Sequence, residues 1–266
     1  MSNLNRNLSE IKELEKISQG ESIIHSLNPI SKIIVTLVFL LAVASVDKYD
    51  VSLLIGFVFY PVILIELVDI PKKALLKRIA VTFPLCICMG ISNLILDKNI
   101  LFYVKNIPVT YGMLSCISII IKVIFMVTSV YILVATTSME EIFYSLKKMK
   151  IPKIIVVQFL LSYRYISVIL KETITMYNAY SLRSGDVKGI KFEHMGAFLG
   201  QILLKSFSRA EEIYMAMKCR GFDGVYPVSC KRNMKIKDYI YIVLVCSMIL
   251  GMRLINISLY TFYIFN

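Results

Sequence analysis

The stretch LSCISIIIKVIFMVTSVYILVAT, Leu114–Thr136, carries one charge, Lys122, in an otherwise apolar and weakly polar run. A helix that crosses a bilayer needs roughly 20 mostly apolar residues, within a range of about 17–25. This stretch meets that requirement. Working outward, four more stretches qualify or come close: Ile33–Val46, Val51–Val68, Ile79–Leu96 and Tyr239–Ile257. The first is short and extends back toward Pro29. The expected fold class is therefore all-α: a polytopic membrane protein with about five transmembrane helices, spanning roughly 30–46, 51–68, 79–96, 114–136 and 239–257.

Composition agrees. The 266 residues are 57% hydrophobic, against about 45–50% apolar in ordinary soluble domains. The first apolar block follows some thirty charged and polar residues and has no clear small-residue cleavage site, so it is not expected to be a secretory signal. Those early residues read as an interfacial or cytosolic helix.

Lysine and arginine set the orientation. Outside the spans there are 4 up to Lys32, 4 in Asp69–Arg78 and 17 in the long segment Thr137–Asp238. On the other side there are 1 in Asp47–Asp50, 2 in Asp97–Met113 and none after Ile257. Positive charge favours the cytosolic side, and short loops carry most of the signal. Even without the long segment the bias favours a cytosolic N-terminus and an outside C-terminus. The net charge of +12 then lies mostly on the cytosolic face, where anionic headgroups and a protein partner would meet it. Nucleic acid is excluded as the partner, since no stacking module or basic-aromatic groove accompanies the lysines. The six cysteines, Cys86, Cys88, Cys116, Cys219, Cys230 and Cys246, have no metal or redox spacing and read as small apolar packing residues.

The segment Thr137–Asp238 has no Pro/Gly-rich linker and should be ordered. Thr137 or Ser138 is placed to cap a helix with Glu140 and Glu141 in its first turn and Lys147, Lys148 and Lys150 in its last, as the helix dipole prefers. Pro152 ends that helix or begins the next. From Lys153 to Arg183, Tyr163, Ile166, Leu170, Ile174 and Tyr177 form an apolar stripe beside a polar one of Arg164, Ser167, Lys171, Thr175 and Asn178. A second amphipathic helix is expected from about His194 to Arg220, with Leu199, Leu203, Phe207, Ala210, Tyr214 and Met217 on one face. Gly185 and Gly221 fit the left-handed position that stops a helix. The whole chain reads as one membrane domain, 1–266, with a cytosolic layer of amphipathic helices over 137–238 lying against the inner membrane face.

Two arginines, Arg183 and Arg220, each end one of these helices beside a small residue. Either alone reads as a cation suited to a helix C-terminus. Together they form two similar basic helix ends, able to dock onto two equivalent grooves of a symmetric partner. Arginine suits that task because its planar fork pairs bidentately with carboxylates and keeps its charge when partly buried.

From about Ile23 to Pro227 the chain resembles the T component of energy-coupling-factor transporters, within its cobalt-type CbiQ branch. SIIHSLNPISKII is similar to the family's opening signature, and TTSMEEIFYSLKKMKIPKIIVVQFLLSYRYISVIL to its threonine-pair, proline and Tyr-Arg-Tyr stretch. GAFLGQILLKSFSRAEEIYMAMKCRGFDG is the most diagnostic part. The resemblance implies that two short Ala-Arg-Ser or Ala-Arg-Gly motifs end the coupling helices and insert into a pair of ATP-binding-cassette ATPase subunits. These fall on Leu182, Arg183 and Ser184, and on Cys219, Arg220 and Gly221. The arginines and small residues are kept, while both alanines are replaced.

It further implies a coupling subunit, in the cell membrane, of an ATP-driven importer for cobalt or nickel. Its partners would be the ATPases, a substrate-binding membrane subunit (the S component), a small accessory membrane subunit and membrane lipids. A T component serving vitamin-binding partners is the alternative. A membrane enzyme with its site in the cytosolic helices is a reading from a different class, and a scaffold without transport a third.

The chain carries no Gly-x4-Gly-Lys-Ser/Thr loop, so ATP is expected on the partners and no cofactor in this chain. No metalloprotease helix or nucleophile elbow appears, so no catalytic residues are expected. His25 and His194 lie in polar flanks far apart and read as interfacial or capping residues, with no metal site in the chain. Intramembrane charges are functional candidates by default. Glu66 and Arg253 lie near span ends, where snorkelling explains them. Lys122 is left to face a partner subunit or to pair with an acid.

Overall fold

A computed structural model of the chain describes residues 17–18, 20, 22, 24–48, 50–68, 72–97, 100–104, 107–185, 189–224 and 234–265. In order these form α1 (Pro29–Ala44), α2 (Val51–Phe57), α3 (Phe59–Val68), α4 (Lys72–Leu96), β1 (Ile100–Val104) and β2 (Ile107–Thr110). Then come α5 (Tyr111–Thr136), α6 (Met139–Lys148), α7 (Lys153–Ser184), α8 (Phe192–Cys219) and α9 (Ile236–Phe265). The protein is an all-α polytopic membrane protein, with one short hairpin among the described residues.

Each of the five expected spans is helical, but their boundaries move for local reasons. The Val51–Val68 stretch breaks at Val58. Pro61 has no N–H for the carbonyl of Phe57, and its ring crowds that carbonyl, which interrupts the helical bonding just ahead of it. α4 begins at Lys72 rather than Ile79, because KKALLKR is built of strong helix formers. The basic loop expected over Asp69–Arg78 is therefore mostly helix, and the Arg78 guanidinium lies 4.3 Å from the ring centre of Tyr131 on α5. The expected loop Asp97–Met113 contains the antiparallel hairpin, with Ile100 paired to Thr110 and Val104 to Ile107.

Among the described residues, Lys73–Ile95, Tyr111–Thr136 and Lys153–Ser184 are each long and apolar enough to cross a membrane, while Pro29–Ala44 and Leu53–Val68 are shorter apolar helices. The third of these, α7, was expected as a surface helix. Its N-terminal half, through Leu170, is apolar enough for a span despite Arg164 and Ser167, and the rest of the polar stripe, Lys171, Thr175 and Asn178, lies beyond it.

The chain forms two compact units, dividing after Ser138 and rejoining at Lys231. In the first, α5 packs against α1, α2, α3 and α4, and α9 packs against α1 and α2. α1 supplies the core: Val35, Phe39 and Val43 are wholly buried, as is Leu54 of α2. The Phe39 ring meets Tyr60 at 4.4 Å and Phe57 edge-on at 6.0 Å, arrangements that stabilise beyond the area they bury.

Both ends of α1 are tied by charged side chains from its neighbours. Asn28 caps its start, the side-chain oxygen accepting from Ile30 N–H at 3.0 Å. The Asn28 N–H donates to Asp238 Oδ1 at 2.8 Å, and Asp238 Oδ2 accepts from Lys235 N–H at 2.8 Å. Lys32 Nζ donates to the carbonyl of Thr136, the last residue of α5, at 2.8 Å. At the other end Lys122 Nζ donates to the carbonyl of Val46, and Arg253 Nη2 donates to Ser45 Oγ at 2.7 Å. An acid thus sits at the positive N-terminal end of α1 and two cations at its negative end, the pairing that the helix dipole favours. Lys122, expected to face a partner or an acid, bonds a backbone carbonyl of its own chain, with Asp47 and Asp50 near enough to act on its charge. Arg253, expected to snorkel, is held by the serine that ends α1.

The second unit contains α6, α7 and α8. Phe143 of α6 stacks on Phe159 and meets Tyr163 of α7, both at 6.2 Å.

Candidate functional site

The two arginine helix ends are built differently. At the end of α8, Arg220 is the cap residue and Gly221 follows with φ 75°. Gly221 N–H donates to Lys218 O at 2.9 Å and Phe222 N–H to Met217 O at 3.1 Å. This pair of bonds is the Schellman arrangement, which satisfies carbonyls that would otherwise be orphaned. Its usual apolar partners, Met217 and Phe222, line one hollow together. At the end of α7, Arg183 lies inside the last turn, before Ser184. Gly185 leaves the helix at φ 68°, ψ −154°, a conformation essentially restricted to glycine. Both glycines thus adopt the left-handed φ expected of them, through two kinds of stop.

Each end presents its arginine to solvent. Arg183 and Arg220 are exposed, as is Cys219, while Ser184 is half-buried and donates through Oγ to Ser181 O at 3.4 Å. Leu182 is 86% exposed, an extreme value for a leucine. Among the described residues neither guanidinium has an ion-pair or hydrogen-bond partner. Each is a solvent-facing planar donor beside the negative end of a long helix, the chemistry for receiving a carboxylate.

Between these ends α7 and α8 enclose two unlike hollows. One is apolar, walled by Leu161, Tyr165 and Val168 of α7 and Ala210, Ile213 and Met217 of α8. The other is charged, walled among others by Lys171, Glu172 and Thr175 of α7 and Lys205, Arg209 and Glu212 of α8. Arg209 and Glu212 pair at 3.1 Å on its rim. The expected apolar stripe of α8 is uncovered: Leu199, Leu203, Phe207 and Tyr214 are each more than half exposed, and no residue of α8 is buried.

The turn before α8 is tied by Tyr180, whose hydroxyl accepts from Lys191 N–H at 3.3 Å and whose ring meets His194 at 5.9 Å. His25 is buried as a local cap: Nε2–H donates to Ile17 O at 3.1 Å, and Nδ1 accepts from Ser22 Oγ at 2.7 Å. Among the described residues no three His, Cys, Asp or Glu side chains converge to hold a metal. Cys230 and Lys188 lie outside the described residues.

Sequence reasoning missed Phe222 and Tyr180. An apolar residue directly after Arg220-Gly221 is the signal for the first, because a Schellman stop usually pairs that position with one in the last turn. The second depends on a contact between helices that no spacing shows.

Residues 20–230 match the family model described as the cobalt transport protein CbiQ. The chain is 25% identical to the energy-coupling factor transporter transmembrane protein EcfT of Ruminiclostridium cellulolyticum, over 77% of this chain and 81% of that protein. It is 28% identical to the nickel permease LarQ of Lactiplantibacillus plantarum, over 40% of this chain and 38% of that protein. An uncharacterised protein of Methanocaldococcus jannaschii is 25% identical over 88% of this chain and 83% of its own length.

Proposed function

The chain belongs to the CbiQ cobalt transport family, and on that premise we propose that it is the transmembrane coupling subunit of an ATP-driven importer of cobalt or nickel. Two ATP-binding-cassette ATPase subunits dock on the ends of α7 and α8, through Leu182-Arg183-Ser184 and Cys219-Arg220-Gly221. A substrate-binding membrane subunit, with or without a small accessory one, is held by the same chain. ATP is bound by the partners, and this chain does no chemistry of its own. The N-terminus and the segment 137–238 are cytosolic, with α7 lying along the inner membrane face rather than crossing, and the C-terminus is outside. What carries the reading is that both guanidiniums stand exposed at the ends of long helices with no partner among the described residues, while the intramembrane cations Lys122 and Arg253 are both engaged within the chain.

The test is ATPase co-purification and metal uptake in Arg183→Ala and Arg220→Ala, with Lys188→Ala and Lys191→Ala as controls. A charge-assisted contact is worth about 1.5–3 kcal/mol, so each arginine variant should bind the ATPases roughly tenfold to a hundredfold more weakly. The double variant should lose them. Arginine variants that transport normally while the lysine variants fail would reduce the arginines to helix caps. Orientation is read by labelling Thr261→Cys from outside intact cells.

A second reading, a T component serving vitamin-binding partners, draws on the relatives named EcfT, which align over most of the chain, whereas the nickel permease aligns over less than half. Growth of a deletion strain in low cobalt, rescued by a vitamin rather than by the metal, would favour it.

A further inference from the structure

We propose that the first turn of α1 is a clamp on both roots of the segment Met139–Cys230, with Lys32 and Asp238 as positioning residues through which movements of that segment reach the rest of the membrane unit. The proposal rests on the coupling reading above.

The segment leaves the first unit after Ser138 and returns at Lys231. Its outgoing root is the end of α5, whose last residue, Thr136, gives its carbonyl to Lys32 Nζ at 2.8 Å. Its returning root is the start of α9, where Asp238 joins two backbone N–H groups. One is that of Lys235, ahead of its own helix, and the other that of Asn28, ahead of α1. Asn28 and Lys32 lie within one turn of each other, so a single turn of α1 holds the C-terminus of one root helix and the N-terminus of the other.

These contacts are dry. Asn28, Lys32, Thr136 and Asp238 are each 2–4% exposed. Burying an ammonium and a carboxylate is costly unless both are bonded, and apolar residues of similar size would fill the same space without that cost. What ions add is direction. Lysine must find the negative end of a helix and aspartate the positive end, which fixes where each root sits against α1. From that turn the rigid core helix leads to the second tied end, at Val46 and Ser45, where Lys122 of α5 and Arg253 of α9 bond. A displacement of either root is therefore imposed on α1 as a whole, and cannot be absorbed by side chains sliding over one another.

The test uses two readouts. In the purified full-length chain, with its native cysteines replaced, spin labels at Ser138→Cys and Lys235→Cys report the distance between the roots. Lys32→Met and Asp238→Asn should each at least double the width of that distance distribution, and Lys32→Arg should restore it. In the assembled complex in lipid nanodiscs and vesicles, cobalt(II) uptake per complex should fall at least tenfold in Lys32→Met, while ATP hydrolysis per complex stays within twofold. A merely structural lysine would lower the yield of complex and leave uptake per complex unchanged, and that result overturns the proposal. So does an unchanged root distance in both variants. Should Lys32→Met not fold, Asp238→Asn, which keeps the side-chain shape, carries both readouts. If the unaltered chain captures no ATPase, the coupling reading fails, and the root distance still decides whether the clamp exists.

Discussion

Helices α1 and α8 are the two extremes of this molecule. α1 has ten buried residues among its sixteen and bonds to charged side chains at both ends. α8 is nearly twice as long and has no buried residue, with leucines, a phenylalanine and a tyrosine more than half exposed along one face. The same residue types do opposite work in the two. In α1, charge is spent inside the chain to fix helix against helix. Along α8 and at its cap, apolar surface and the Arg220 guanidinium, which has no partner among the described residues, are left for something outside the chain. An exposed apolar face of that length marks an interaction surface or a membrane face, so stability and partner binding should separate cleanly between the two helices.

The sharpest way to break the comparison is to make one substitution in both places. Phe39→Ala empties a wholly buried site between Phe57 and Tyr60, and should cost about 3–5 kcal/mol of stability. Phe207→Ala, on the open face of α8, should change the stability of the isolated chain by no more than about 0.5 kcal/mol. Equilibrium unfolding in mild detergent measures both. Comparable losses would mean that α8 is packed after all and is not an interface in waiting.

A smaller effect is expected at the far end of α1. Lys122→Met keeps the length of the side chain and removes the donor to Val46, a residue only 8% exposed. An orphaned buried carbonyl costs about 1–3 kcal/mol. Arg253→Met should cost less, because its acceptor, Ser45, is exposed and water can replace the guanidinium. If Lys122→Met left stability unchanged but abolished complex formation, Lys122 would be a partner contact and not an internal tie.

Much of this was legible in the sequence. Five apolar stretches gave five helical regions, since length and hydropathy speak directly to a bilayer. The glycine stops at Gly185 and Gly221 were legible because a left-handed residue after an amphipathic run has few alternatives. The break at Val58 was readable in principle from Pro61, three residues on. What could not be read was the partnering of Lys122, Arg253, Lys32 and Asp238. Apart from the local one between Asp238 and Lys235, those bonds join residues 76 to 210 positions apart, and no local pattern distinguishes a lysine that caps a neighbouring helix from one that snorkels or binds a partner. The covered or uncovered state of the apolar stripes was equally hidden. Periodicity shows that a helix has an apolar face and says nothing about what meets it.

The smallest expected effect concerns the turn between α6 and α7, where the backbone of one left-handed residue should set stability. Lys150 is the one non-glycine residue with positive φ, 66°, among the described residues. Around it Met149 N–H donates to Ser145 O at 3.0 Å and Ile151 N–H to Leu146 O at 3.4 Å, so the left-handed residue is what lets the α6 stop close. A side chain in that conformation costs roughly 1–2 kcal/mol, and glycine returns about 0.5–1 kcal/mol of this to the unfolded chain's greater freedom. Relief of the backbone alone should therefore favour glycine over a residue with a Cβ at position 150 by about 0.5–1 kcal/mol. Lys150→Gly also removes a cation from a helix C-terminus, worth about 0.3–1 kcal/mol, so the proper reference is Lys150→Ala, which loses the charge and keeps the Cβ. Glycine should be the more stable of those two by thermal unfolding. Were alanine to match it, strain would not be the reason, and the turn would owe its shape to the packing of Phe143 against Phe159 and Tyr163.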